Sequence, residues 1–80
     1  MKSCEAVIIR IERLCFNKGM NFNQLAYIAG VSPSTIKSIL NGDSKNPGIV
    51  TITKICDGLE ITIVDFFNTD IFLNLEQEIK

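Results

Sequence analysis

Residues 21–42, NFNQLAYIAGVSPSTIKSILNG, restrict the fold of this chain more than any other stretch. They read as two short helices joined by a sharp turn. Asn21 is placed to cap the first helix, and Gln24 three residues on can reach back to close a capping box. Leu25, Ala26, Ile28 and Ala29 fall on one helical face. Gly30 follows where the chain has to turn, a place where glycine takes positive φ without a Cβ clash. Ser32 is a second N-cap, and Pro33 stands at the first helical position, where a missing N–H does no harm. Ile36, Ile39 and Leu40 supply the buried stripe of the second helix, and Asn41-Gly42 ends it. Ala26 contributes by being small, because two helices crossing at about 90–120° over a short turn leave little room between them.

Small Ala, turn Gly, capped Ser-Pro and correctly spaced Ile together describe a helix-turn-helix, whose second helix enters the DNA major groove. An ordinary αα-hairpin in a small bundle is the plainer alternative. Over residues 14–67, about two thirds of its length, the chain resembles the lambda-repressor/Cro-like (Xre-like) helix-turn-helix family. The resemblance is carried by Lys18-Gly19, Leu25-Ala26, Gly30-Val31-Ser32, Thr35-Ile36 and Asn41-Gly42. Beyond the motif it continues through Pro47, Thr51-Ile52, Ile55, Leu59 and Asp65-Phe66-Phe67. It implies a compact all-α bundle of five helices. It also implies a transcriptional regulator that binds double-stranded operator DNA as a homodimer in a prokaryotic or phage-infected cytoplasm, most often as a repressor.

Eighty residues with 46% apolar side chains make one small core and leave no room for an enclosed catalytic cleft. The net charge of −1 argues against a protein that coats nucleic acid nonspecifically. It is compatible with a sequence-specific binder, for which a few well-placed cations and backbone amides suffice. Cys4, Cys15 and Cys56 show no CxxC spacing and read as reduced, mostly buried thiols. With no His in the chain, neither a zinc site nor a Ser-His or Cys-His nucleophile pair is expected, and no Gly-rich phosphate loop is present. No enzyme activity, metal or cofactor is therefore expected. No run approaches the about 20 apolar residues of a membrane span. Val7-Ile8-Ile9 are interrupted by Arg10, Glu12 and Arg13, as in an amphipathic helix and unlike a signal peptide.

The remaining pattern predicts a first helix over about residues 3–17, with Val7, Ile11 and Leu14 inward and Ile9 and Phe16 on a second face. NGDSKNPG, residues 41–48, is loop by composition. A fourth helix over about residues 49–59 buries Ile52, Ile55, Cys56 and Leu59. Thr62 caps a short fifth helix whose apolar side is Val64, Phe66 and Phe67. Residues 1–68 form the DNA-binding domain in this reading, and residues 69–80 a C-terminal extension. The extension is too apolar for a disordered tail and packs either on its own bundle or on a partner. Phe66, Phe67, Ile71, Phe72 and Leu75 are the expected dimer surface.

The exposed side of the second motif helix offers Ser34, Thr35, Lys37 and Ser38 to base edges. The resemblance adds Pro33 to the base-reading positions, beside Ser34 and Ser38. Phosphate contacts are expected from helix N-termini and from Asn21, Asn23, Asn41, Ser44, Lys45 and Asn46, of which Asn41 and Lys45 best match the family pattern. Three departures stand out. Phe22 occupies a position where the family often has a phosphate-holding Gln. Cys15 and Leu40 replace a common Arg–Glu pair, a self-consistent change of both partners to apolar groups. Glu60 stands where a capping Gly is usual, one residue after Leu59 and two after Gly58. An antitoxin with a toxin partner, or an interaction module that has lost DNA binding, are the alternatives this sequence leaves open.

Overall fold

In the computed structural model, which describes residues 1–43 and 46–79, the helices follow the expected order. They are α1 (Ser3–Lys18), α2 (Phe22–Ala29), α3 (Pro33–Leu40), α4 (Ile49–Leu59) and α5 (Ile63–Phe67), followed by a 3₁₀ turn at Asp70–Phe72. Among the described residues there is no strand. The fold class is all-α, as the motif spacing predicts. No helix among the described residues is long and apolar enough to cross a membrane.

One C-cap geometry recurs at the ends of α1, α2 and α4. Gly19, Gly30 and Glu60 each adopt the left-handed conformation, with φ of 64°, 69° and 60°. The next residue, Met20, Val31 or Ile61, donates its N–H back to Cys15, Ala26 or Cys56 at 3.0–3.1 Å. Those three residues also pack against the core, so each cap turns the chain and seals an edge of the bundle. Glu60 carries this geometry without being glycine, a strained choice for a residue with a Cβ.

The core is assembled from one stripe of every helix. Ile11 and Leu14 come from α1, Leu25 and Ala26 from α2, and Ile36 and Ile39 from α3. Ile55 and Leu59 of α4 and Phe66 of α5 complete it. Helix α2 packs on both α3 and α4. Its contact with α4 is backbone-close: a Cβ added at Gly58 would lie 2.8 Å from the Ile28 carbonyl oxygen. Gly58 thus stands in the last turn of α4, against its poor helix propensity, because nothing larger fits. Cys15 and Cys56 are buried thiols. Burial pushes the Cys15 thiol above its ordinary range. For Cys56 desolvation is again the main cause, with the Asp57 carboxylate adding to it and the Arg10 guanidinium opposing it. Both stay protonated near neutral pH and are poor nucleophiles.

Three expectations about the core need correction. Ile28 is 39% exposed, because the arc that faces the bundle is Leu25, Ala26 and Ala29 and the Ile28 side chain lies beyond its edge. Val64 is 70% exposed, since Phe66 alone among the α5 residues points fully inward. Phe66 has no exposed surface at all, so it cannot also serve a dimer interface. Its ring lies edge-on to Phe67 at 4.9 Å and 6.2 Å from Phe72, and Phe72 packs on the core.

The extension folds back onto α1. The Glu76 N–H donates to the Met1 carbonyl at 3.0 Å, and Lys2 Nζ donates to the Gln77 carbonyl at 3.0 Å. Ser3 Oγ donates to the Glu78 carboxylate at 2.9 Å, which holds that carboxyl below its usual range. Arg10, a residue with no assigned role in the sequence reading, ties α5, just before the extension, to α1. Its Nε donates to the Phe66 carbonyl at 2.8 Å and its Nη2 to the Asp65 carbonyl at 2.9 Å. These are carbonyls at the end of α5, where a cation also favours the helix dipole.

Opposite effects are expected at the two ends of this packing argument. Gly58→Ala should gain helix propensity yet lower stability by about 1–2 kcal/mol, because the clash is with backbone. Glu60→Gly should raise it by about 0.5–1 kcal/mol, as relief of left-handed strain exceeds the added freedom of the unfolded chain. Urea titrations of both variants test the pair.

Candidate DNA interface

The site is built on α3. Ile36 and Ile39 anchor its inner face at 1% and 3% exposure, leaving Pro33, Ser34 and Lys37 on the outside and Thr35 and Ser38 half-buried. Its start is fixed by a hydroxyl cluster. Ser32 Oγ accepts from the Thr35 N–H at 3.3 Å and lies 2.8 Å from Thr35 Oγ1 and 3.0 Å from Ser34 Oγ. The hydroxyls of Ser34 and Thr35 are therefore oriented before any ligand arrives. A hydroxyl combines one donor with two lone pairs, so each keeps capacity for one more partner.

Two open grooves run along the flanks of α3. The first lies between α3 and the start of α2, with Asn21 and Asn23 on one side and Pro33, Lys37 and Asn41 on the other. The second lies between α3 and the start of α4, where Thr35 and Ser38 face Asn46, Gly48 and Thr51. Ser34 borders both. Every described residue of the expected base-reading and phosphate-holding sets lines one groove or the other. Ser44 and Lys45, the remaining two, lie outside the described residues.

The α2 side of the first groove is an anion-friendly helix end. Asn21 Oδ1 accepts from the Gln24 N–H and Gln24 Oε1 accepts from the Asn21 N–H, each at 2.8 Å. That capping box occupies the carboxamide oxygen and the N–H of Asn21, so its side chain has only its –NH₂ left to offer a phosphate. The N–H groups of Phe22 and Asn23 precede the first intrahelical bond, made by Leu25 to Asn21, and are oriented outward along the helix axis. Lys37 is the only charged side chain lining either groove among the described residues. The rest of the lining is hydroxyl, carboxamide and apolar.

The sequence reading missed several members of this surface. Gly48 and Thr51 bring α4 into the second groove, visible only once the loop brings α4 back beside α3. Phe22, singled out in the sequence only as a departure from the family, is 41% exposed and lines the first groove. The expected dimer residues differ in exposure: Phe66, Phe67 and Phe72 form one aromatic cluster in which Phe66 is fully buried and Phe67 partly exposed, while Ile71 and Leu75 are half-buried.

A five-helix bundle that displays a capped, polar helix across a Gly turn defines a helix-turn-helix protein, and comparison with known proteins agrees. The chain belongs to the Cro/C1-type HTH DNA-binding domain family, whose model matches residues 10–70. It is 35% identical over 63 residues to the HTH-type transcriptional regulator SlrR of Bacillus subtilis, a match covering 79% of this chain. The chain spans only 40% of the length of that relative. Among solved structures it resembles prophage Lp1 protein 11, with a TM-score of 0.81 and 33% identity. That match covers 94% of this chain and all of the other.

Replacing Ser32 with Ala should remove the anchor of the hydroxyl cluster and cost about 0.5–2 kcal/mol. In a domain of this size each kcal/mol lowers Tm by about 4–8 °C, well within reach of a calorimetric scan.

Proposed function

We propose that this protein is a sequence-specific transcriptional regulator, a repressor, that reads operator DNA with α3 in the major groove. The observation that carries this reading is the convergence of the polar residues of α2, α3 and the start of α4 on two grooves flanking one exposed helix. Pro33, Ser34, Thr35, Lys37 and Ser38 face the base edges. Asn21, Asn23, Asn41 and Asn46, with Ser44 and Lys45 of the loop, hold the flanking phosphates. Short hydroxyl side chains cannot make the bidentate contacts of Arg, Gln or Asn, so base readout rests on Lys37 and on DNA shape more than on many direct bonds. The protein acts in a prokaryotic or phage-infected cytoplasm.

It works as a homodimer, since two linked modules multiply the specificity that one small module can reach. Val64 and Phe67, three residues apart on the outer face of α5, are 70% and 36% exposed and supply an apolar patch for a second copy. Ile71 and Leu75 contribute only the parts of their side chains left uncovered.

Binding to a selected duplex and to random duplexes, at several salt concentrations, tests the DNA reading. Lys37→Ala should cost the selected duplex about 1–3 kcal/mol and random DNA less. Lys45→Ala should weaken both alike and flatten the salt dependence by about one unit of slope. Failure to bind any duplex at low salt rules the reading out. For the dimer, Val64→Asp should halve the mass seen by light scattering while the far-UV circular dichroism still reports a folded helical domain, because Val64 is largely outside the core. A wild-type chain that is monomeric at all concentrations refutes the dimer.

A further inference from the structure

Phe22 is the first residue of α2, and nothing in that helix start needs an aromatic ring. Asn21 and Gln24 close the capping box, and Met20 supplies the apolar contact to the core. Phe22 is nevertheless held in the first groove, 41% exposed, with Pro33 and Lys37 lining the same groove from α3. Pro33 is itself exposed. The result is a small apolar surface set among the polar residues proposed to face DNA, with a cation beside it. A phenyl ring has no donor for a phosphate and no partner for a base edge. The one apolar group that the major groove displays is the 5-methyl of thymine.

We propose that Phe22 and Pro33 together form a contact surface for a thymine methyl, making Phe22 a specificity-determining residue that imposes an A·T preference at one position of the site. The inference rests on the DNA reading above and adds a base identity to it. Lys37, in the same groove, secures the adjoining base or phosphate and holds the two helices' surface against the duplex.

The test uses a duplex selected by the full chain from a random pool. Each thymine is replaced in turn by deoxyuridine, which removes the methyl and leaves base pairing intact. Removing one buried methyl should weaken wild-type binding about three- to fivefold at one thymine. Phe22→Ala, and separately Phe22→Gln, should bind the original duplex more weakly and show no penalty for deoxyuridine at that thymine. Two variants guard against a fold effect of either one, and thermal melts confirm that both are folded. Three results overturn the inference: a wild-type chain indifferent to every deoxyuridine, an equal penalty in wild type and variants, or a variant that weakens all sequences alike, as a sugar contact would. A chain that binds no duplex overturns the DNA reading itself. One that binds but ignores the methyl overturns the Phe22 inference alone.

Discussion

The contact between α2 and α4 sets the geometry on which everything else depends. At Gly58 the two backbones approach so closely that a single added carbon would meet the Ile28 carbonyl oxygen. Close backbone approach fixes a helix pair more tightly than interdigitating side chains do, because there are no rotamers to rearrange. Helix α3 leans on α2 through a three-residue turn, and the start of α4 borders α3 on its other flank. The groove between α3 and α4 therefore depends on a glycine that does not line it.

The surface so positioned has little charge. A net charge of −1, and Lys37 as the single charged side chain lining the described grooves, mean that long-range attraction to a polyanion is weak. What the surface offers instead is geometry: outward N–H groups at the start of α2, hydroxyls pre-aligned by Ser32, and carboxamides on both banks. Such groups reward a well-fitted duplex and give little to a poorly fitted one.

Much of this was legible in the sequence because the signals were local. The capping box of Asn21 and Gln24, the Gly30 turn and the Ser32-Pro33 helix start are each decided within four residues, and the helices begin and end accordingly. Gly58 and Glu60 marked an irregularity at the end of α4, but the reason for Gly58 lies some thirty residues away in α2, where no periodicity could reveal it. Ile28 and Val64 were misplaced for a related reason. Apolar character shows that a residue can be buried, while which side of a five- or eight-residue helix faces inward depends on neighbours distant in sequence. Arg10 stood in the sequence only as a charge interrupting an apolar run, and only the arrival of α5 above it reveals two carbonyls waiting for its guanidinium. Along α3, the hydroxyls and carboxamides singled out from the sequence do fall together on the two grooves, whereas the partial exposure of Phe22 depends on how α2 and α3 sit side by side and has no local signal.

The clasp between residues 76–78 and the start of α1 bears on how the molecule comes apart. The first turn of a helix and a trailing segment are ordinarily where a small domain frays, each on its own. Here Met1, Lys2 and Ser3 are bonded to Glu76, Gln77 and Glu78, so neither stretch can loosen without releasing the other. Two weak margins become a single cooperative unit. Peeling that begins at either one has to break polar bonds to the other before it can advance toward the bundle.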